Sequence, residues 1–197
     1  MDVGVLYSGG KDSTLAALLL EPFGNVTLLC CTFGVTNDYE HAQEAGSSVG
    51  FETQRVDLDS GVATAAAEQI VDDGYPRNGI QTIHEHAVEH VADLAFDAVA
   101  DGTRRDDRVP TISRPLAQSV EDRYDVSYLA PLAGIGRKAI DSMVEAKLRT
   151  ETGPSPEIPK GDYEAEVRTL IAAEYSDNRV EDLFPEHTQS RVRGRQK

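Results

Sequence analysis

One short stretch limits the fold more than any other: YSGGKDS, residues 7–13, lies between an apolar run and a helical pattern. Residues 2–8 predict a buried parallel strand, and residues 12–23 predict a helix that Pro22 ends. Glycines at such a junction let backbone N–H groups turn towards an anion, and the following helix adds its positive end. The stretch therefore predicts a phosphate-binding strand–loop–helix unit.

The alternation of strand and helix patterns continues along the chain. Further strands are predicted at residues 26–34, 51–59, 96–103 and 126–132, and further helices within 36–50, 62–73, 80–95, 111–123, 134–149 and 162–175. This order predicts an α/β fold, a doubly wound parallel five-stranded sheet with helices on both faces, followed by a C-terminal helix and a basic tail. In such sheets ligands gather at the carboxyl ends of the strands.

We expect one main domain at residues 1–150. Residues 150–161 are rich in proline, glycine and small residues, which predicts a loop. Residues 151–197 are therefore expected to supply that loop, the C-terminal helix and the tail, all packing on the same domain.

Charge is distributed unevenly along the chain. The 197 residues carry a net charge of −15, from 34 acidic and 19 basic side chains, and only five of the basic residues are lysine. Many carboxylates with few lysines are typical of a protein kept soluble in high salt, as in a halophilic archaeon. Four bases and no acids lie in residues 191–197. This tail is either a contact for phosphate or nucleic acid, or a solvated, disordered end.

The two cysteines, Cys30 and Cys31, are neighbours in a predicted strand, so their side chains are expected on opposite faces and poorly placed to form a disulfide. No CxxC pair and no zinc-binding spacing is present. No stretch approaches ~18 apolar residues, and no signal-like start is seen. We therefore expect a cytoplasmic protein that does not enter a membrane.

The glycine-rich stretch matches neither the Walker pattern G-x-x-x-x-G-K-[ST] nor the dinucleotide pattern G-x-G-x-x-G. Asp12 is unusual beside phosphates unless it caps the helix or reaches a magnesium ion. All of these residues can contribute to binding if the ligand is a polyphosphate. The backbone, hydroxyl and charged groups for it come from Ser8, Gly9, Gly10, Lys11, Asp12 and Ser13.

SGGKDS resembles the loop signature of the PP-loop (N-type) ATP pyrophosphatase superfamily, whose members adenylate a substrate and release pyrophosphate. The resemblance implies an adenine nucleotide alpha-hydrolase-like fold and the use of ATP and Mg²⁺. It also implies that the adenine lies at the end of the second strand, near Thr32 and Phe33.

A second stretch, GTRRDD at residues 102–107, resembles the segment that faces the nucleotide in the tRNA-modifying branch of that superfamily. The resemblance implies that Asp106 or Asp107 holds magnesium or orients the acceptor, and that Arg104 and Arg105 meet phosphates. The implied catalytic residues are Lys11, Asp12, Arg104 and Asp107. The implied nucleotide contacts are residues 8–13, Thr32, Phe33, Gly102 and Thr103, and the implied metal ligands are Asp12, Asp106 and Asp107.

The wider chain is similar to an archaeal group of predicted PP-loop ATPases that resemble tRNA-thiolation enzymes, through stretches such as GIQTIHE, PLAGIG and KGDYEAEVR. This similarity implies a tRNA base as acceptor, contacted by the basic tail and by Arg104, Arg105, Arg108 and Arg114. It also implies a sulfur or ammonia donor protein and a homodimer. Sulfur delivery needs a reactive thiolate, and a cysteine in a buried strand is a poor candidate. Nitrogen transfer or plain adenylation fits at least as well.

Two other functions stay open. LYSGGKDST also resembles diphthamide-type ammonia ligases, which implies an ATP-dependent amide ligase acting on a small molecule or a protein side chain. A non-catalytic adenine-nucleotide-binding module is the other alternative.

Three local patterns also have two interpretations each. HAVEH at residues 86–90 matches an inverted zinc-protease motif, or places histidines on a partly exposed helix face. PLAGIGRKAI, with Lys138 at a helix start, predicts a second anion site or a close-packed turn. The family resemblance suggests that Lys160 and Tyr163 close over the site, although the segment also fits an ordinary helix start.

Overall fold

The computed structural model describes residues 1–155, 157–185 and 187–196. Its main sheet has five strands: β1 (Asp2–Leu6), β2 (Asn25–Thr32), β3 (Glu52–Asp57), β4 (Ala98–Ala100) and β5 (Ser127–Leu129). All neighbouring strands pair in parallel, in the order β3-β2-β1-β4-β5. The predicted α/β fold with a five-stranded parallel sheet is confirmed.

Helices cover both faces of this sheet. They are α1 (Lys11–Leu20), α2 (Tyr39–Ser48), α3 (Ser60–Asp73), α4 (Arg77–Ala92), α5 (Arg114–Tyr124), α6 (Arg137–Lys147), α7 (Tyr163–Glu174) and α8 (Asp177–Leu183). Side chains alternate along β2: Cys30 packs in the core that includes Ala17 of α1, and Cys31 packs in the opposite core, among α3, α4 and α7. Both cysteines are free, as their predicted placement on opposite faces requires.

The strand order creates a switch point beside β1. From β1 the chain runs to β2 and β3 on one side, and later returns to β4 and β5 on the other. Ligand sites in open parallel sheets lie where the strand order reverses, outside the carboxyl ends of the strands. The glycine-rich stretch follows β1 and the GTRRDD stretch follows β4, so the topology brings both predicted motifs to this position.

A second, two-stranded sheet was not predicted from the sequence. The strand β6 (Leu148–Pro154) pairs antiparallel with β7 (Thr188–Arg195), and β7 packs against α1 and α2. The interpretation of residues 150–161 as a loop is therefore wrong up to Pro154. The interpretation of residues 191–197 as a disordered end is wrong as far as Arg195.

Pro156 of the predicted loop and Lys197 of the predicted tail lie outside the described residues. The predicted domain boundary at residue 150 falls within β6, and the division of the chain there stays a prediction. In the described ranges, no helix combines the length and apolar character needed to cross a bilayer.

Candidate functional site

The glycine-rich loop joins β1 to α1 in a conformation that depends on glycine. Gly9 has a φ of +82°, and a Cβ added there would lie 3.2 Å from the Cα of Ala42. Gly10 is the N-cap residue of α1, and no side chain caps the helix. Backbone N–H groups in the first turn of a helix have no intrahelical partner. The start of α1 therefore offers N–H donors and a positive helix end to an anion.

The hydroxyls of the loop hold its shape. Ser8 Oγ accepts a hydrogen bond from the Gly10 N–H (3.4 Å), and Ser13 Oγ donates to the Gly10 carbonyl (3.3 Å). Thr14 Oγ1 donates to the same carbonyl at 2.8 Å. The predicted phosphate-contacting hydroxyls are thus close together around Gly10.

The loop after β4 packs directly on α1. A Cβ at Gly102 would lie 2.6 Å from the backbone nitrogen of Ser13 and 2.7 Å from its Cα. Contacts this short exclude any side chain unless the backbone moves. Gly102 and Thr103 line the same cavity as Ser8, Asp12 and Ser13, and their contact with a nucleotide stays a prediction.

The four predicted catalytic residues form one network of alternating charge. Lys11 Nζ lies 2.8 Å from Asp12, and Asp12 lies 3.3 Å from the guanidinium of Arg104. Arg104 Nε donates to Asp107 at 3.0 Å, and the Arg104 N–H donates to the same carboxylate at 2.8 Å. This contact raises the pKa of Arg104 further above its ordinary value, although burial opposes the shift.

Asp106 is placed elsewhere. It accepts a hydrogen bond from the Arg137 N–H at 3.1 Å, at the start of α6, and from Arg105 Nε at 3.2 Å. These hydrogen bonds lower its pKa. In the described part of the chain, no three His, Cys, Asp or Glu side chains converge as a metal-binding group. The structure therefore does not gather Asp12, Asp106 and Asp107 around one point.

Thr32 and Phe33 lie at the end of β2, but their polar groups are already bound. The buried carboxylate of Glu166 in α7 accepts from the Thr32 hydroxyl at 2.8 Å and from the Phe33 N–H at 2.9 Å. It also accepts from the Val35 N–H at 3.1 Å. Thr32 and Phe33, which were predicted to contact adenine, thus attach α7 to the carboxyl end of β2.

A cavity of about 250 Å³ opens between the loops and α7. Its polar wall comes from the two loops, and its apolar wall comes from strand ends, α4 and α7. The lining residues include Leu6, Ser8, Asp12, Ser13, Leu29, Cys31, Ile80, His84, Asp101, Gly102, Thr103, Asp107 and Tyr163. The volume is just below the range of roughly 300–1,000 Å³ that is usual for small-molecule sites.

The cavity also contains a buried polar group that sequence reasoning did not identify. Asp101 accepts from Thr103 at its N–H (2.9 Å) and hydroxyl (2.7 Å), from the Tyr128 hydroxyl (2.8 Å) and from His84 Nε2 (2.9 Å). Burial by itself raises the pKa of Asp101, but the hydrogen bonds and charge of its partners hold it below the ordinary value. The one sequence signal was a single aspartate at the carboxyl end of a buried strand.

Cys31 lies in the cavity wall, and its side chain is buried. Burial raises the pKa of Cys31, and the neighbouring Cys30 and Glu166 raise it further. Burial likewise raises the pKa of Cys30 to about 12. Both thiols are therefore protonated near neutral pH, which is unlike a cysteine that carries sulfur.

The three tail arginines are paired with acidic side chains. Arg191 is buried and contacts Glu44. Arg193 pairs with Glu151, and Arg195 binds Glu21 at 2.7 and 3.0 Å. This strand differs from the disordered end that was one of the two predicted alternatives, and its charges are partly neutralised within the protein.

The remaining patterns take ordinary structural positions. In the HAVEH stretch the rings of His86 and His90 are 6.0 Å apart, and Glu89 pairs with Arg123 rather than with either histidine. The interpretation as a zinc motif has no structural support in the described residues. Lys138 is exposed in the first turn of α6.

The two residues predicted to close over the site differ in position. Tyr163 lies in the cavity wall. Lys160 forms an ion pair of 2.7 Å with Asp162, the residue that caps α7.

Comparisons with known proteins place the whole chain in a family. An uncharacterized protein of Methanocaldococcus jannaschii, MJ0690, is 39% identical over 198 residues, covering 100% of this chain and 98% of the relative. A crystal structure described as a predicted subunit of tRNA methyltransferase, also from M. jannaschii, matches with a TM-score of 0.92 and 38% identity, covering 100% of this chain and 98% of that one.

The U34-tRNA thiolase NcsA from Methanococcus maripaludis, with its 4Fe–4S cluster, matches with a TM-score of 0.46 and 18% identity, over 92% of this chain and 68% of that chain. The sequence model of the DUF7411 family, a family of unknown function, matches residues 1–194 of this chain. The chain therefore belongs to the DUF7411 family.

Proposed function

We propose that this protein binds ATP at residues 8–13 and adenylates an acceptor with release of pyrophosphate, as a PP-loop ATP pyrophosphatase. One observation carries the proposal: the N-terminus of α1, without a side-chain cap, opens onto the same cavity as the Gly102 loop. Free N–H donors, a helix dipole and a nearby lysine are the groups that stabilise phosphate.

ATP fits this donor set. The backbone N–H groups at the start of α1 and the ammonium of Lys11 would bind the departing pyrophosphate and stabilise its charge. An acceptor oxygen would attack the α-phosphorus from the cavity side. A nucleophile would then displace AMP from the adenylated acceptor.

Mg²⁺ is expected to accompany the nucleotide. Its protein ligands would be Asp12 and Asp107, since both carboxylates contact the guanidinium of Arg104 and are therefore near one another. One or two carboxylates plus substrate phosphates are a usual ligand set for Mg²⁺, which neutralises charge on the triphosphate. Asp106 is left out of this set because it binds the start of α6.

We further propose that the acceptor is a tRNA base. The M. jannaschii relative that is 38% identical is described as a predicted subunit of tRNA methyltransferase, which supports tRNA as the substrate class. The exposed basic side chains that would contact the phosphates of the tRNA backbone are Arg105, Arg108, Arg114, Arg137 and Lys138. They replace the tail arginines, which are paired, as the proposed tRNA contacts.

The protonated state of Cys31 favours nitrogen as the atom transferred by this chain. A donor protein or free ammonia would supply it. Sulfur transfer would need free sulfide or a thiolate from another protein, because burial raises the pKa of both thiols of this chain.

The experiment is incubation with α-labelled ATP, Mg²⁺ and bulk tRNA from cells that lack the protein, at molar KCl. AMP and pyrophosphate that form only with tRNA would support the proposal. Asp12→Asn should abolish them, while Asp122→Asn, on the exposed side of α5, should not. Formation of ADP would contradict the proposed chemistry. AMP formation without tRNA would contradict the acceptor class.

A further inference from the structure

The geometry around His84 fixes which of its ring nitrogens is basic. Each carboxylate oxygen of Asp101 has two hydrogen-bond partners. The N–H and the hydroxyl of Thr103 both donate to Oδ1. Tyr128 donates to Oδ2. An ionised carboxylate is an acceptor at all four positions, so Nε2 of His84, 2.9 Å from Oδ2, carries a hydrogen. A neutral His84 then has its lone pair on Nδ1.

The hydrogen bond that the described residues give the His84 ring is the one at Nε2, and the ring lines the cavity. A histidine that is held by a carboxylate through one nitrogen and presents the other to a ligand cavity has the arrangement of a general base.

We propose that His84 accepts, at Nδ1, the proton of the nucleophile that displaces AMP. The inference rests on the proposed function and names a catalytic residue for its second step. The nucleophile's lone pair forms a bond to the adenylated carbon, and the bond from that carbon to the AMP oxygen breaks. AMP leaves with that electron pair, and the proton lost by the nucleophile moves to Nδ1.

The resulting imidazolium is stabilised by Asp101, to which Nε2–H stays bound. Other titratable groups also face the ring or its cavity and shape its environment. They are Tyr7 from the loop after β1, Cys31 from β2, Tyr128 from β5, Tyr163 (ring centroids 6.2 Å apart) and Glu164 from α7, Asp12 from α1, and Asp107 and Asp162 from loops.

His84→Gln is the matched variant, since its amide nitrogen can keep the hydrogen bond to Asp101 and provides no base. His90→Gln is the control, because His90 lies on the same helix at an exposed position. The assay measures the pyrophosphate burst and the later release of AMP with α-labelled ATP, Mg²⁺ and bulk tRNA. Ammonium chloride is the nucleophile, with free ammonia held constant across pH, and sodium sulfide is used in a parallel series.

In His84→Gln we expect a pyrophosphate burst within about twofold of wild type and AMP release slower by about 100-fold or more. The pH profile of AMP release should differ between the two proteins, since glutamine offers no nitrogen that can accept the nucleophile's proton. His90→Gln should match wild type.

A burst and AMP release that fall together in His84→Gln, or a pH profile there that matches wild type, would overturn the assignment. A wild-type protein with no pyrophosphate burst would instead contradict the proposed function. An independent readout is the ¹⁵N spectrum of the wild-type histidines. A neutral His84 with its hydrogen on Nδ1 would overturn the inference even if the variant fails to fold.

Discussion

The N–H of Val192 donates a hydrogen bond to the carbonyl oxygen of Gly9 at 3.0 Å, so the C-terminal strand holds the glycine-rich loop. The N–H of Gly161 similarly donates to the Ser8 carbonyl at 3.1 Å. Two carbonyl oxygens that would repel an anion are thereby occupied. Segments more than 150 residues away thus help keep the loop in a shape that presents N–H groups.

The buried arginine of that strand should matter more than its neighbour. Arg191→Ala removes the buried aliphatic part of the side chain and the ion pair with Glu44. We therefore expect the free energy of unfolding to fall by about 2 kcal/mol. Arg193→Ala breaks an ion pair whose partners are both about half exposed, and should cost less than about 1 kcal/mol. Urea unfolding measures both. Equal losses would contradict a special role for Arg191.

The contact between Gly102 and Ser13 should not tolerate a methyl group. In Gly102→Ala the Cβ would lie 2.6 Å from a backbone nitrogen of α1, so the first turn must move. We expect a loss of about 1–3 kcal/mol in stability and weaker ATP binding. Gly134→Ala is the control, because a Cβ there meets nothing within 4 Å. Thermal melting and calorimetric titration with ATP check both effects, and unchanged ATP affinity in Gly102→Ala would count against the site.

The local patterns of the sequence predicted the main sheet because each strand and helix is encoded by its own apolar spacing. The motif around Gly10 and the aspartates after β4 were likewise local, and the strand order brought them together. The β6–β7 pair escaped prediction because its strands join segments about 40 residues apart, one of them rich in glycine and proline. The same holds for Asp101 and Glu166, since His84 and Tyr128, which bind Asp101, and Phe33, which binds Glu166, lie far away in the sequence.

Glu166 should be essential for the position of α7. Its carboxylate accepts from Thr32, Phe33 and Val35, and a glutamine would place an amide donor against backbone N–H donors. We expect Glu166→Gln to cost about 2–4 kcal/mol, since hydrogen bonds to a charged group are worth about 1.5–3 each. Glu164→Gln, which breaks a partly exposed pair with Arg168, should cost less than about 1 kcal/mol. Denaturant midpoints of the two variants decide between these outcomes.

Neither cysteine should react with a thiol reagent in the folded protein. Burial raises the pKa of both thiols, so each stays protonated near neutral pH. We expect modification only at the rate of unfolding, and rapid modification of both in urea. We also expect Cys31→Ser to keep AMP formation within a few-fold of wild type. Rapid labelling of one thiol without denaturant would show that a reactive cysteine exists and would restore sulfur transfer as an activity of this chain.

The buried carboxylate of Asp101 should make stability depend on acid pH. Burial raises its pKa, but the bonds from His84 and Thr103 outweigh this, and the folded-state pKa lies below the ordinary value. A lowered pKa stabilises the fold fully above the unfolded-state value, about 3.9, and this contribution is lost as pH falls through the folded-state value.

Asp101→Asn should therefore be less stable than wild type at neutral pH by about 2–4 kcal/mol, because Asn replaces one acceptor oxygen with a donor. The difference between the two proteins should shrink as pH falls below about 4, because Asp101 then becomes protonated in the unfolded chain while it is still ionised in the folded protein. Urea midpoints from pH 7 to pH 2 measure this, and comparing the two proteins cancels the similar contribution of Asp162. A wild-type advantage that instead grows as pH falls from 7 towards 4 would mean that Asp101 is protonated in the folded protein at neutral pH, and the hydrogen placed on Nε2 of His84 would no longer follow.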